Sequence, residues 1–147
     1  MAFVESSIQV RKTIEETFAF LNERESHLKF IPRILQLNQT SAGEFGKVGT
    51  TAKGVLRYFG VRIAVDYEII EHQPGQRLAM KGQMGPVNFS DGYILSKNGS
   101  GAEIKFWLDL APTGWARLFS PFMGWIGKIH AYETLRNLKR ELQKIGG

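Results

Sequence analysis

The sequence contains no cysteine. Disulfides, thiolate zinc sites and cysteine nucleophiles are therefore excluded, and the expected location is cytoplasmic. No run of about 18 apolar residues is present, so no segment reads as a membrane-spanning helix. The opening, Met1-Ala2-Phe3-Val4-Glu5, lacks a basic stretch followed by an apolar one, and no secretory signal is expected. Internal repeats, low-complexity tracts and linkers are missing, which makes residues 1–147 one expected domain. A dense Lys/Arg block is also missing. The net charge of +5 comes from scattered basic residues and reads as a soluble basic surface. No nucleic-acid partner is expected: the best interleaving of aromatic and basic residues, Arg57-Tyr58-Phe59 with Arg62, is more simply a hairpin tip.

Familiar catalytic and metal motifs are absent as well. The histidines are His27, His72 and His130, and none has a second ligand at metal-binding spacing on a helix, so no metal is expected. The loop Gly43-Glu44-Phe45-Gly46-Lys47-Val48-Gly49 resembles a phosphate loop only superficially. Position 41 is Ser where the first glycine belongs, Val48 follows Lys47, and a strand comes next. There is no G-x-S-x-G elbow. No cofactor is expected.

What is present is a globular composition, 43% hydrophobic and 22% charged, with a clear order of elements. Ala2 to Val10 alternates as a strand. Thr13-Ile14-Glu15-Glu16 is a capping box opening a short helix to about Asn22, and a second turn of helix covers Ser26 to Phe30 before Pro32. Strands are then predicted over Ile34 to Gln39, Thr50 to Tyr58, Val61 to Ile69, Arg77 to Met84 and Val87 to Ser96. A last strand places Ile104, Phe106, Leu108 and Leu110 on one face. Phe59-Gly60, Pro74-Gly75, Gly85-Pro86 and Asn98-Gly99 supply the turns. Hairpin succession implies an antiparallel sheet, and its apolar face needs a cover.

The long C-terminal helix is that cover. Ser120-Pro121 reads as its start, Ser120 as N-cap. One stripe runs Gly124, Gly127, Ala131, Leu135, Leu138, Leu142, Ile145. Its small upper residues suggest room beneath the helix, since a glycine in a helix costs about 1 kcal/mol against Ala. If this stripe faces the sheet, Phe122, Trp125, Ile126 and Ile129 point outward beside Trp115, Arg117, Leu118, Phe119 and Lys128. That patch suits a homodimer or membrane-surface contact. Alternatively Trp115 to Phe119, or a loop such as Gly82 to Pro86, folds over it, or the upper half faces differently.

The segments VESSIQVRKTIEETFAFLNE, GKVGTT, YEIIEHQPGQRLAM, DGYILSKNGSGAEIKFWLDL and ETLRNLKRELQK together resemble the START/Bet v 1-like (SRPBCC) helix-grip superfamily, in its polyketide cyclase/dehydrase-like branch. The resemblance spans nearly the whole chain. It implies an α+β helix-grip fold: a curved antiparallel sheet of about seven strands wrapped on a long C-terminal helix, with two short helices after the first strand. It also implies an apolar cavity for lipids, quinones, hormones or polyketide-like rings. It brings no family-wide catalytic motif. Where the family often carries a Trp shortly after the first helix, this chain reads Ser26-His27-Leu28-Lys29-Phe30.

The sheet face expected to meet ligand carries Ala52, Leu56, Ile63, Val65, Tyr67, Met80, Phe89, Tyr93, Phe106 and Leu108, with Gly124, Gly127 and Ala131 as the cavity roof. The same residues would equally make an ordinary core. Tyr67, Tyr93 and Asp91 are the polar candidates. Asp91 shares parity with Phe89 and Tyr93 and either points inward, where desolvation would raise its pKa, or sits at a bulge beside Gly92 in solvent. His130 and Glu133 are three apart and form either an acid/base pair or a surface pair. The expected function is binding of an apolar small molecule. The alternatives are an aromatase/cyclase-type enzyme using Asp91, Tyr93, Tyr67 or His130, and a membrane-docking lipid or quinone carrier.

Overall fold

The capping box at Thr13 forms as the sequence requires: the Glu16 backbone N–H donates to Thr13 Oγ1 at 3.1 Å, and the Glu16 carboxylate accepts from the Thr13 backbone. It opens α1 (Ile14–Leu21), which follows β1 (Ala2–Val10) and precedes α2 (Arg24–Phe30) in this computed structural model, which describes residues 2–144. The strands β2 (Ile34–Gln39), β3 (Thr51–Tyr58), β4 (Val61–Gln73), β5 (Arg77–Met84), β6 (Val87–Asn98) and β7 (Gly101–Pro112) come next. A 3-10 segment, Gly114–Phe119, leads into α3 (Ser120–Gln143).

All neighbouring strands are antiparallel, and the sheet order is β1-β7-β6-β5-β4-β3-β2. The first strand therefore lies beside the last, and β2 forms the other edge. One ladder face carries Val4, Leu56, Tyr67, Met80, Tyr93, Phe106 and Leu108, all buried. α3 covers this face, packing mainly on β1 and β7. This is the helix-grip architecture, an α+β fold with one curved sheet held against a long helix.

The structure differs from the sequence reading at three places along the helices. α2 begins at Arg24, two residues before the expected Ser26. Ser120 is not an N-cap. The chain is already helical through the 3-10 segment, so Ser120 has helical dihedrals and its hydroxyl donates back to the Arg117 carbonyl at 2.8 Å. The third difference concerns the small stripe of α3. Gly127, Ala131, Leu135, Leu138 and Leu142 are buried, but a Cβ at Gly127 would lie 3.3 Å from Val4 Cγ2 and 3.5 Å from Leu110 Cδ1. Gly127 lets the helix approach β1 closely, so it fills space that the cavity-roof expectation left open. Gly124 has no such neighbour. Ile145 lies outside the described residues.

Candidate functional site

The cavity lies between the concave sheet face and α3. Its free volume is about 70 Å³, a narrow slot. Leu56 and Tyr58 of β3, Val65 and Tyr67 of β4, Met80 and Met84 of β5, Phe89, Asp91 and Tyr93 of β6, and Leu108 and Leu110 of β7 form its walls. Ile31 and Ile34 close one side. The helix contributes Ile126, His130 and Thr134. These three sit one position N-terminal to the expected Gly127, Ala131 and Leu135 stripe.

The continuous register of β6 against both neighbours decides the orientation of Asp91. It sits between Met80 and Leu108 on the inward ladder, with no bulge. Gly92 serves another purpose: a Cβ there would come within 2.7 Å of Trp107 Nε1, so the glycine admits the Trp107 ring on the outer face. Asp91 is half-buried, and its Oδ1 is buried without a hydrogen-bond partner among the described residues. Burial pushes its carboxyl up to about 7. Tyr93, packed against Phe106 and Phe30, has its hydroxyl pushed up by burial and by the nearby Asp91 charge.

Tyr67 is tied differently. Its hydroxyl lies 2.9 Å from Nδ1 of the fully buried His27, whose Nε2 lies 2.7 Å from the Leu21 carbonyl oxygen. Burial pushes His27 down to about 4. His27 also makes edge contacts with Phe30 and Phe45, so the segment from Ser26 to Phe30 is packed with aromatic rings.

At the opposite end, the Tyr58 hydroxyl lies 3.1 Å from His130 Nδ1. Burial pushes His130 down to about 4, with Glu133 opposing and Arg33 adding to the shift. Glu133 is engaged by Arg33, whose guanidinium also sits over the Tyr58 ring. His130 therefore bonds across the cavity to Tyr58 and not along the helix to Glu133.

On the other side of Tyr58 and His130 lies an apolar groove of about 590 Å³. Tyr58, Met84, Leu110, Ile126 and His130 line both spaces, so slot and groove are neighbours that share a wall. The groove is bounded by the β3–β4 turn at Phe59, the turn at Pro86, the 3-10 segment and the first turns of α3.

Among the residues expected to meet ligand, the structure brings Leu56, Val65, Tyr67, Met80, Phe89, Tyr93, Leu108, Asp91 and His130 together around the slot. It places others elsewhere. Ile63 lines the outer groove. Ala52 and Phe106 are buried but do not line the slot. Gly124, Gly127 and Ala131 do not line it either, because the helix is rotated so that bulkier side chains face it. Ile126, expected outward, faces slot and groove for the same reason. Phe122, Trp125 and Ile129 are exposed, and neither the 3-10 segment nor the β5–β6 loop folds over them.

Sequence reasoning missed Tyr58 and His27 as members of the site. Tyr58 had a signal, since it shares parity with Leu56. His27 had none, because its partners lie on other elements.

Among the described residues no helix is long and apolar enough to cross a membrane, and no cluster of His, Cys, Asp or Glu could hold a metal ion. The family model described as "Polyketide cyclase / dehydrase and lipid transport" matches residues 1–143. No curated protein is significantly similar in sequence. Among solved structures, a START superfamily protein from Mycobacterium smegmatis superposes with a TM-score of 0.84 at 9% identity, covering 99% of each chain. A protein from Thermus thermophilus gives 0.83 at 12% identity, again over 99% of each chain. The Zhui aromatase/cyclase from Streptomyces sp. R1128 gives 0.81 at 9% identity, covering 97% of this chain and 93% of its own. At these identities the likeness is one of fold.

Proposed function

The chain belongs to the polyketide cyclase/dehydrase and lipid transport family, and on that premise we propose that it binds an apolar, ring-bearing small molecule between its sheet and α3. A single observation carries this reading. A slot walled by apolar side chains, with a wide apolar groove beside it, holds a carboxyl oxygen, Asp91 Oδ1, that no described residue satisfies. Buried polar groups in proteins are nearly always partnered, and of the four unpartnered buried side-chain oxygens among the described residues Asp91 Oδ1 alone belongs to a slot residue, where a ligand donor such as a hydroxyl can complete it. Native mass spectrometry of the purified protein tests for a retained molecule. Titration with the neutral fluorophore N-phenyl-1-naphthylamine then tests the location. Val65→Phe, which fills the slot, should weaken that probe by roughly tenfold. Unchanged affinity in a folded variant would overturn the proposal.

Asp91 also supports the cyclase alternative, because a carboxyl near neutrality can both give and take a proton. Binding is preferred because His130, the other candidate base, is already engaged by Tyr58.

A second observation favours a carrier that meets an anionic membrane. Around the groove Phe59 is 89% exposed, Leu118 80%, Trp115 67% and Trp125 62%. Phe59 holds this position at a φ of +52°, which a bulky side chain rarely adopts. Exposed Arg57, Arg62, Arg117 and Lys128 stand near this rim, and Arg33 and Glu133 are the charged residues lining the groove. Aromatic side chains edged by cations match a negatively charged lipid surface. Co-sedimentation with phosphatidylglycerol vesicles should exceed that with phosphatidylcholine, and Trp125→Glu should weaken it by roughly tenfold. A dimer in analytical ultracentrifugation that Trp125→Glu dissociates would overturn the membrane reading in favour of self-association.

A further inference from the structure

The hydrogen bonds beneath the slot have only one consistent direction. Leu21 lies at the C-terminus of α1, where a carbonyl lacks its helical partner. A carbonyl can only accept, so the 2.7 Å contact requires the proton on His27 Nε2. His27 is completely buried and lies against rings and apolar groups, and among the described residues no carboxylate is hydrogen-bonded to it. A neutral imidazole with a proton on Nε2 has a bare Nδ1. The Tyr67 hydroxyl, 2.9 Å away, must then donate to it.

We propose that His27 is a positioning residue that fixes the Tyr67 hydroxyl as a hydrogen-bond acceptor toward the slot, and so selects ligands whose inner end carries a hydroxyl, phenolic or enolic, over their ethers. The proton of Tyr67 is committed to His27, and only its oxygen lone pairs remain for a ligand. A ligand hydroxyl can donate there. Its own oxygen can accept from Tyr93, whose hydroxyl makes no hydrogen bond among the described residues, or from Asp91 in its protonated form. An ether at the same place leaves the Tyr67 oxygen facing a group with nothing to donate. The direction of His27's shift, to a neutral ring at ordinary pH, agrees with this assignment.

This inference rests on the slot being a ligand site, and the experiment separates the two. Binding of 1-naphthol and of 1-methoxynaphthalene is measured by calorimetry. Wild-type protein should prefer 1-naphthol by roughly five- to tenfold, the effect of one hydrogen bond. Tyr67→Phe should abolish that preference while still binding the ether. His27→Leu should abolish or reverse it, because the freed Tyr67 proton can turn toward the ligand. His27→Gln, which keeps an acceptor and a donor, should restore it. Should the His27 variants not fold, ¹⁵N NMR of the wild-type imidazole decides: a neutral ring protonated at Nε2 supports the proposal, and a proton on Nδ1 overturns it. If both probes bind wild type equally, the selection by His27 is wrong and the slot reading stands. If neither binds, the slot reading fails and takes this inference with it.

Discussion

Asp91 is the one carboxyl among the described residues that line the slot. Its neighbours from every packed element are uncharged at neutral pH: Met80 and Leu108 across the ladder, Tyr67 and Tyr93 beside it, and His130 and Thr134 from α3. With no cation among these neighbours to hold the charge, burial raises the carboxyl to about 7. Below about pH 4 the group is protonated whether folded or unfolded. Between that range and about 7 the folded state holds a proton the unfolded state releases, so this group's contribution falls as pH rises. Asp91→Asn, which cannot ionise, should therefore stabilise the apo protein at pH 8 by roughly 1–3 kcal/mol and change it little at pH 4. Urea unfolding at the two pH values measures this, and equal effects at both would refute it. The inward direction of Asp91 follows from alternation with Phe89 and Tyr93. That nothing satisfies its oxygen could not be read from the chain, because that depends on which side chains reach it from β5, β7 and α3. His27 shows the same gap more sharply. Its partners are a carbonyl on α1 and a hydroxyl on β4, and no local pattern links them.

At the scale of elements, α3 was legible as a helix but not in its rotation. Its leucines at Leu135, Leu138 and Leu142 mark the buried side clearly. In the upper half the small residues fit two physical purposes, leaving a void or allowing close approach, and spacing alone does not separate them. Packing against Val4 and Leu110 selects close approach at Gly127 and turns Ile126 and His130 to the slot. The two glycines should therefore respond oppositely. Gly124→Ala meets open space and should stabilise by up to about 1 kcal/mol through helix propensity. Gly127→Leu must displace the Val4 and Leu110 side chains and should destabilise by about 1–3 kcal/mol. Thermal unfolding of both variants checks this, and a shift of the same sign in each would contradict it. The strands were far easier to read, since turn glycines and period-two alternation mark them. What alternation does not show is the wide outer groove, which arises where the β3–β4 turn, the 3-10 segment and α3 meet.

Over the whole molecule the buried titratable groups act against each other. His27 and His130 are both pushed down to about 4 by burial. Between that value and about 6.5 the unfolded chain takes up protons at both imidazoles that the folded state refuses, so these groups make stability rise with pH. Asp91 works in the opposite sense over nearly the same window. Two imidazoles outweigh one carboxyl, so stability from these groups should climb from about pH 4 to 6.5 and then decline slightly toward 7. Urea midpoints across about pH 4 to 8 measure this, and His130→Phe should flatten the climb. A monotonic fall from the acid end upward would contradict it.

The pairing of β1 with β7 sets a requirement on assembly. Ala2 lies opposite Leu110 and Val10 opposite Ala102, so β1 has no ladder to join until β7, six strands later, is in place. Such long-range closure is entropically costly and slows folding. In the interval the apolar side of the nascent hairpins has neither β1 nor α3 against it. The slot takes Ile126, His130 and Thr134 from α3, so it exists as an enclosed space only once that helix has closed over the hairpins.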